Sequence, residues 1–309
     1  MMKNFSQRNV LRCALLVFTI LIQGCAVNLP AVRDYSKATM LASNSYNVIV
    51  DDLPKSCIRR VDISFEGQKV NTAISPVGLS TNYLDAVSTC SEIENSLAGI
   101  YEANNILQQY AEALGKLASN ETITFTSELN QLEGNLKKVK INEQAIFDNN
   151  QAKAVFQLSE YLIRVAIDGY RQKELKETID TAEPYIPVLV DGLVSIVEDY
   201  NLVLEDEKLA LLDKRDVLDR KIRKSGDIND KDALNERLYT TITEINAIDS
   251  KQKAANDYIS VLDNIKTTHS NLAQSSKNEL QSPLLINIIQ QYVQELIPIL
   301  SNLKKAFNT

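Results

Sequence analysis

The strongest constraint on this chain is a row of residues spaced alternately three and four apart. Ile93, Leu97, Ile100, Asn104, Leu107, Ala111, Leu114 and Ala118 recur in that rhythm over nearly thirty positions. Only an α-helix brings such residues onto one face. The three-four alternation is a heptad seam, which packs helices against each other at a shallow angle. Asn104 stands on that seam, where it either is buried and fixes register at a cost in stability or faces a gap or water. A chain built around this stripe needs other long helices to cover it.

The rest of the sequence supplies them. Asp34 or Ser36 can cap a first helix through Met40, Leu41, Tyr46, Val48, Ile49 and Leu53, with Pro54 as a kink or restart. Residues 63–80 read as a loop: Gly67, Pro76 and Gly78 break helix, and Val61, Ile63 and Phe65 alternate like a short strand. Thr81 or Asn82 opens the seam helix, and Ser119-Asn120 ends it. A shorter helix follows at about 124–140, with Leu129, Leu132, Leu136 and Val139 on one face. Another, at roughly 143–181, carries Leu158, Leu162, Val165, Leu175 and Ile179, and the pair could be one bent helix. Glu183 to Pro187 marks a turn.

The next helix begins apolar, from Val188 to Leu204, and then turns highly charged up to Lys224, keeping Leu211, Leu218 and Ile222 on a thin seam. Ser225-Gly226 stops it, with Arg220, Lys221, Arg223 and Lys224 placed as the helix dipole favours. Asp227, Asn229 and Asp230 cap a helix that runs to about Ser275, with Leu234, Leu238, Ile242, Ile245 and Ile248 on its stripe. Residues 205–250 thus read as a coiled-coil-like helical hairpin that projects as an arm. Ser282-Pro283 caps the final helix, with Pro298 as a second kink. Nine Gly, seven Pro and no Trp in 309 residues fit long uninterrupted helices better than a turn-rich α/β enzyme. The expected fold class is all-α, an elongated antiparallel helical bundle.

The first 25 residues have a separate logic. Lys3, Arg8 and Arg12 precede an apolar run from Cys13 to Ile22, about ten residues, the length of a signal h-region and too short to span a bilayer. The run ends in Ile22-Gln23-Gly24-Cys25. This end resembles the lipobox of bacterial lipoproteins, with Ile22 in the place usually held by Leu and Gln23 where Ala or Ser is usual. The resemblance covers residues 1–25 only. It implies a cleaved signal at 1–24, lipidation of Cys25, and a lipid-anchored tether at 25–33 before a helical domain at 34–309. Ala26, where an Asp would retain the protein at the inner membrane of enteric bacteria, implies the outer membrane. Two or three acyl chains at about 0.8 kcal/mol per buried methylene would make the anchor permanent.

That assignment bears on charge and on cysteine chemistry. Removing Lys3, Arg8 and Arg12 leaves 30 Lys+Arg against 40 Asp+Glu, a net charge of −10. An acidic chain is a poor ligand for a phosphate backbone, so nucleic acid is not an expected partner. Cys13 leaves with the leader and Cys25 carries lipid. Cys57 and Cys90 remain in an oxidising compartment and are expected to form a disulfide, worth about 3 kcal/mol on the loop-entropy model.

Chemistry-bearing motifs are scarce. The one histidine, His269, falls between Ile265 and Leu272 at helical spacing and reads as a core or boundary residue. No second histidine is present for a di-iron or zinc site, and no Gly-rich phosphate loop, nucleophile elbow or His-Glu-x-x-His helix occurs. The acidic runs Asp51-Asp52 and Glu205-Asp206-Glu207, and Asp227, Asp230 and Asp232, read as solvated helix faces and caps. Residues 187–204 and 283–303 are apolar but interrupted by charges, and neither reads as a membrane span. No catalytic, metal or cofactor residues are therefore expected. The expected function is a non-enzymatic binding or scaffolding role, with a protein partner, at the bacterial envelope. The alternative is a membrane-active, pore-forming-like helical protein.

Overall fold

The computed structural model describes residues 29–66, 81–123, 132–141, 144–276 and 280–307. It is an elongated, antiparallel helical bundle of the expected class. Helix α1 (Pro30–Phe65) runs through its centre and packs on α2 (Thr81–Ala118), on α6 (Ile186–Lys224) and on α8 (Pro283–Phe307). Helix α7 (Ile228–Ser276) packs on α6 and α8. At roughly 1.5 Å per residue α1 is about 54 Å long, and α7 is longer still.

α1 and α2 run antiparallel in one register. Ser36 Oγ donates to the Ala111 carbonyl (2.6 Å), Ser43 meets Asn104, and Cys57 is paired with Cys90. Each step of seven or fourteen residues up α1 is matched by an equal step down α2, as the heptad seam of α2 requires. Asn104 sets this register: its Nδ2 donates to the Ser43 carbonyl (2.9 Å) and its Oδ1 accepts from Ser43 Oγ (2.8 Å). The seam residues of α2 are buried, with Leu97 half-buried. α6 and α7 are likewise antiparallel, through Lys266 and Asp191 (2.5 Å), Asn201 and Asn256 (2.9 Å), and Lys208 and Asp249 (2.7 Å).

Buried tyrosines tie these two pairs together. Tyr35 donates to the Ile265 carbonyl (3.2 Å), Tyr46 to that of Leu193 (3.2 Å) and Tyr258 to that of Ala42 (2.6 Å). Each of these three rings fills the core while its hydroxyl donates to the spare lone pair of a helix carbonyl, so none of the three hydroxyls is stranded. Gly192 lets α6 approach: a Cβ there would run into the buried ring of Phe147.

Several boundaries differ from the sequence reading. α1 starts at Pro30, four residues before Asp34, because proline at the first helical position loses no hydrogen bond. Residues 30–33, expected to precede the helical domain, are thus part of its first helix. Pro54 stands inside α1 without ending it. Val61, Ile63 and Phe65 belong to the last turns of α1, not to a strand or loop, and residues 67–80 lie outside the described part. Residues 132–182 are not one bent helix. α3 (Leu132–Lys138) leads into a two-stranded hairpin, β1 (Lys140–Ile141) with β2 (Gln144–Ala145), in the register Lys140 to Ala145 and Ile141 to Gln144. α4 (Asn149–Ile167) is capped by Asp148, whose carboxylate accepts from the Asn150 and Gln151 amides. Gly169, at φ +65, then turns the chain by way of a 3-10 turn into α5 (Leu175–Ala182).

Candidate functional site

The expected disulfide is present: Cys57 and Cys90 are bonded, with Cα atoms 5.7 Å apart, and join the last third of α1 to the first third of α2. Cys25 lies outside the described residues.

His269 is fully buried between α7 and α2. Its Nδ1 lies 2.8 Å from the Tyr110 hydroxyl, the rings meet edge to face at 5.3 Å, and Nε2 has no hydrogen-bond partner among the described residues. Burial pushes its pKa down to about 4, so the ring is neutral at physiological pH. No substrate can reach it.

The acidic runs divide in a way the sequence did not suggest. Asp51 and Asp206 are exposed, but Asp52 and Glu207 are buried and enter an ionic clasp where α1, α6 and α7 meet. Arg59 spans both acids. Its Nη1 and Nη2 donate to the two oxygens of Asp52 (3.0 and 3.1 Å), and its Nε and Nη2 donate to those of Glu207 (2.6 and 3.0 Å). Asp52 Oδ2 also accepts from Tyr200 (2.6 Å) and Lys251 (2.9 Å), and Glu207 Oε2 from Ser56 (2.6 Å). Phe307, the last described residue of α8, stacks on Tyr200 at 6.2 Å and lies 5.5 Å from the Lys251 ammonium.

The electrostatics of the clasp are closed. Burial alone raises the Asp52 pKa; hydrogen bonds from Arg59 and Tyr200 and the charges of Arg59 and Lys251 outweigh it and hold the carboxyl below its usual range. Burial lowers the Arg59 pKa, and Glu207 and Asp52 more than reverse it. Two anions meet two cations, and each carboxylate accepts from at least three donors, so α1, α6 and α7 are joined through paired, hydrogen-bonded charges. A signal for it existed: Glu207 sits four residues before Leu211 on the thin seam of α6, and Arg59 lies seven after Asp52 on one face of α1.

Two open grooves flank the clasp. One, about 560 Å³, lies between α7 and α8 and is lined by Thr243, Ser250, Ala254, Asn302 and Ala306. The other, about 500 Å³, lies between the end of α1 and the hairpin, at Ile63, Glu66, Leu218, Lys221 and Arg237. Neither is lined by His or Cys, and among the described residues no group of three or more His, Cys, Asp or Glu is placed to hold a metal ion. No described helix is long and apolar enough to cross a membrane.

The hairpin of α6 and α7 offers the other candidate surface. α1 accompanies it as far as Glu66, which bridges Lys214 (2.9 Å) and Arg237 (3.0 Å). Beyond that point the hairpin is thin. Ile228 is 72% exposed, Tyr239 74% and Ile242 41%, so Ile242 faces solvent and not the seam on which the sequence placed it. The inward positions are Thr241, Ile245 and Ile248. Compared with models of protein families, with curated proteins and with solved structures, the chain matches none.

Proposed function

We propose that this chain is a lipid-anchored protein of the bacterial envelope that binds or spaces a protein partner without catalysis. Anchoring is through Cys25, with the outer membrane favoured by Ala26, and the partner is met by the distal part of the 205–250 hairpin. The observation that carries this reading is the position of that hairpin. α1 begins at Pro30, just after the proposed lipid site, and ends against Lys214 and Arg237. The 225–227 tip therefore stands about 70 Å from the start of α1, at roughly 1.5 Å per helical residue. Four large apolar side chains, Val217, Ile228, Tyr239 and Ile242, are exposed on that distal hairpin, the kind of residue from which interface anchors are drawn. The net charge of −10 disfavours nucleic acid as the partner.

The membrane-active alternative is less well supported. Its first candidate segment, 187–204, holds Leu189, Val190, Leu193, Ile196, Val197 and Tyr200 in the centre of the bundle, so insertion would empty the core.

The test is capture from cross-linked cells with the full lipidated chain and with an Ile228→Ser/Tyr239→Ser/Ile242→Ser variant. The partner should be retained by the first and lost by the second at equal helicity. An unchanged set of captured proteins contradicts the binding role of the hairpin. The mass of the mature N-terminus, with Cys25→Ser as control, tests the anchor separately.

A further inference from the structure

We propose that the end of the bundle where α1 begins is a membrane-contacting face, with Ile167 and Leu284 seated in the lipid interface. The inference rests on the anchoring of Cys25 and adds which part of the protein touches the bilayer and how the body is oriented on it.

The placement follows from contacts. Ser36 opposite Ala111 sets Leu29 level with Ala118, the last residue of α2. Gln172 Nε2 reaches the Ala118 carbonyl (3.5 Å), and Arg171 Nη1 donates to Thr122 Oγ1 (2.8 Å), so the turn that follows α4 lies at the same end. Ile167 is the last residue of α4 and is 77% exposed. On the other side of α1, the Tyr35 and Tyr292 rings pack at 6.0 Å. Leu284 precedes Tyr292 by eight residues and Pro30 precedes Tyr35 by five, so Leu284 lies a few ångströms beyond the start of α1. It is 71% exposed. Two of the most exposed large apolar side chains in the described structure are thus at one end, on helices α4 and α8 that flank α1 and α2.

What covers them follows from the length of chain between Cys25 and Pro30. Five residues span at most about 18 Å when fully extended. An acylated Cys25 therefore holds this end, and no other, within that distance of the acyl chains. A face confined so close to lipid gains from inserting two aliphatic side chains, which otherwise stand in water. Charge does not drive the contact: Arg171 and Lys173 are exposed there, but so are Asp168 and Glu121. With this end on the bilayer, the long axis stands away from it and the hairpin tip is the distal point.

The experiment uses the full lipidated chain in vesicles of phosphatidylethanolamine and phosphatidylglycerol. An environment-sensitive fluorophore is placed in turn at Ile167→Cys, Leu284→Cys and, as the distal control, Tyr239→Cys; Cys57 and Cys90 are bonded to each other and do not compete for label. Reconstitution should shift the emission to the blue at 167 and 284 and expose both probes to quenching by nitroxide-labelled lipid, with no change at 239. An unchanged spectrum at 167 and 284, in protein whose mass includes the acyl chains, overturns the contact while leaving the anchor intact. A mass with unmodified Cys25 overturns the anchor, and this face with it.

Discussion

Helix α6 is two different objects along its length. From Ile186 to Leu204 it places ten residues in the core; from Glu205 to Lys224 only Glu207, Leu211 and Leu218 are buried. The first half touches neighbours on several sides, and a helix apolar on most of its circumference must lie inside. The second half has α7 as its main partner, with the end of α1 beside it. The difference divides the molecule into a body whose sequence is dictated by packing and an arm whose surface is free to be chosen by a partner.

Substitutions should reproduce that division. Leu193→Ala, in the body, empties a fully buried site and should cost about 4 kcal/mol in denaturant unfolding. Leu218→Ala, on the thin seam of the arm, should cost about half as much, because solvent and mobile side chains can fill the space. Equal costs would mean that the arm is as tightly packed as the body.

The clasp is the joint between the two regions. Arg59→Ala leaves Glu207 buried with only Ser56 as partner and should cost about 3 kcal/mol; the low end of the range for a broken buried pair applies because the guanidinium is partly exposed. Arm and body should then unfold in separate transitions, where the native protein is expected to show one. A loss under 1 kcal/mol would show that the clasp does not couple them.

A pH titration reports on the body through the chain's only histidine, while the paired carboxylates Asp52 and Glu66, held below their usual range, contribute only at the acid end. The folded pKa of His269, about 4, is below the unfolded value near 6.5, so the unfolded state binds the proton first. Stability is therefore full above the unfolded pKa and falls as pH drops through the window toward 4, by about 2 kcal/mol between pH 7.5 and 4.5. His269→Gln should remove that slope. A slope that survives the substitution would assign it to other groups. The smallest effect is expected on the arm surface: Ile228→Ser/Tyr239→Ser/Ile242→Ser should change stability by no more than about 0.5 kcal/mol per site.

The fold was legible where one local signal dominated. The seam of α2, the stop at Ser225-Gly226 and the cap at Ser282-Pro283 are each a local signal that the packed structure leaves unchanged. Misreadings came where two signals competed. Val61, Ile63 and Phe65 alternate like a strand, yet they continue a helix already nucleated and packed from Pro30 onward. Asp168-Gly169 is a helix stop that the apolar stripe from Leu158 to Ile179 outweighed. Asp52 and Glu207 look like solvated acids because the clasp closes only when α1, α6 and α7 come together: the heptad steps Asp52–Arg59 and Tyr200–Glu207 are legible within each helix, but nothing in the sequence pairs one helix with another or brings in Lys251. Ile242 fits a helical stripe, but the face buried by α6 is one position away, at Thr241.

The central claim, an upright body anchored at one end with the arm tip distal, is tested most directly by neutron reflectometry of the lipidated chain on a supported bilayer. Protein density should extend about 70 Å from the membrane surface, the summed rise of α1 and the hairpin beyond it. A layer only about 30 Å thick, roughly three helix diameters, would mean that the bundle lies flat and would contradict the account.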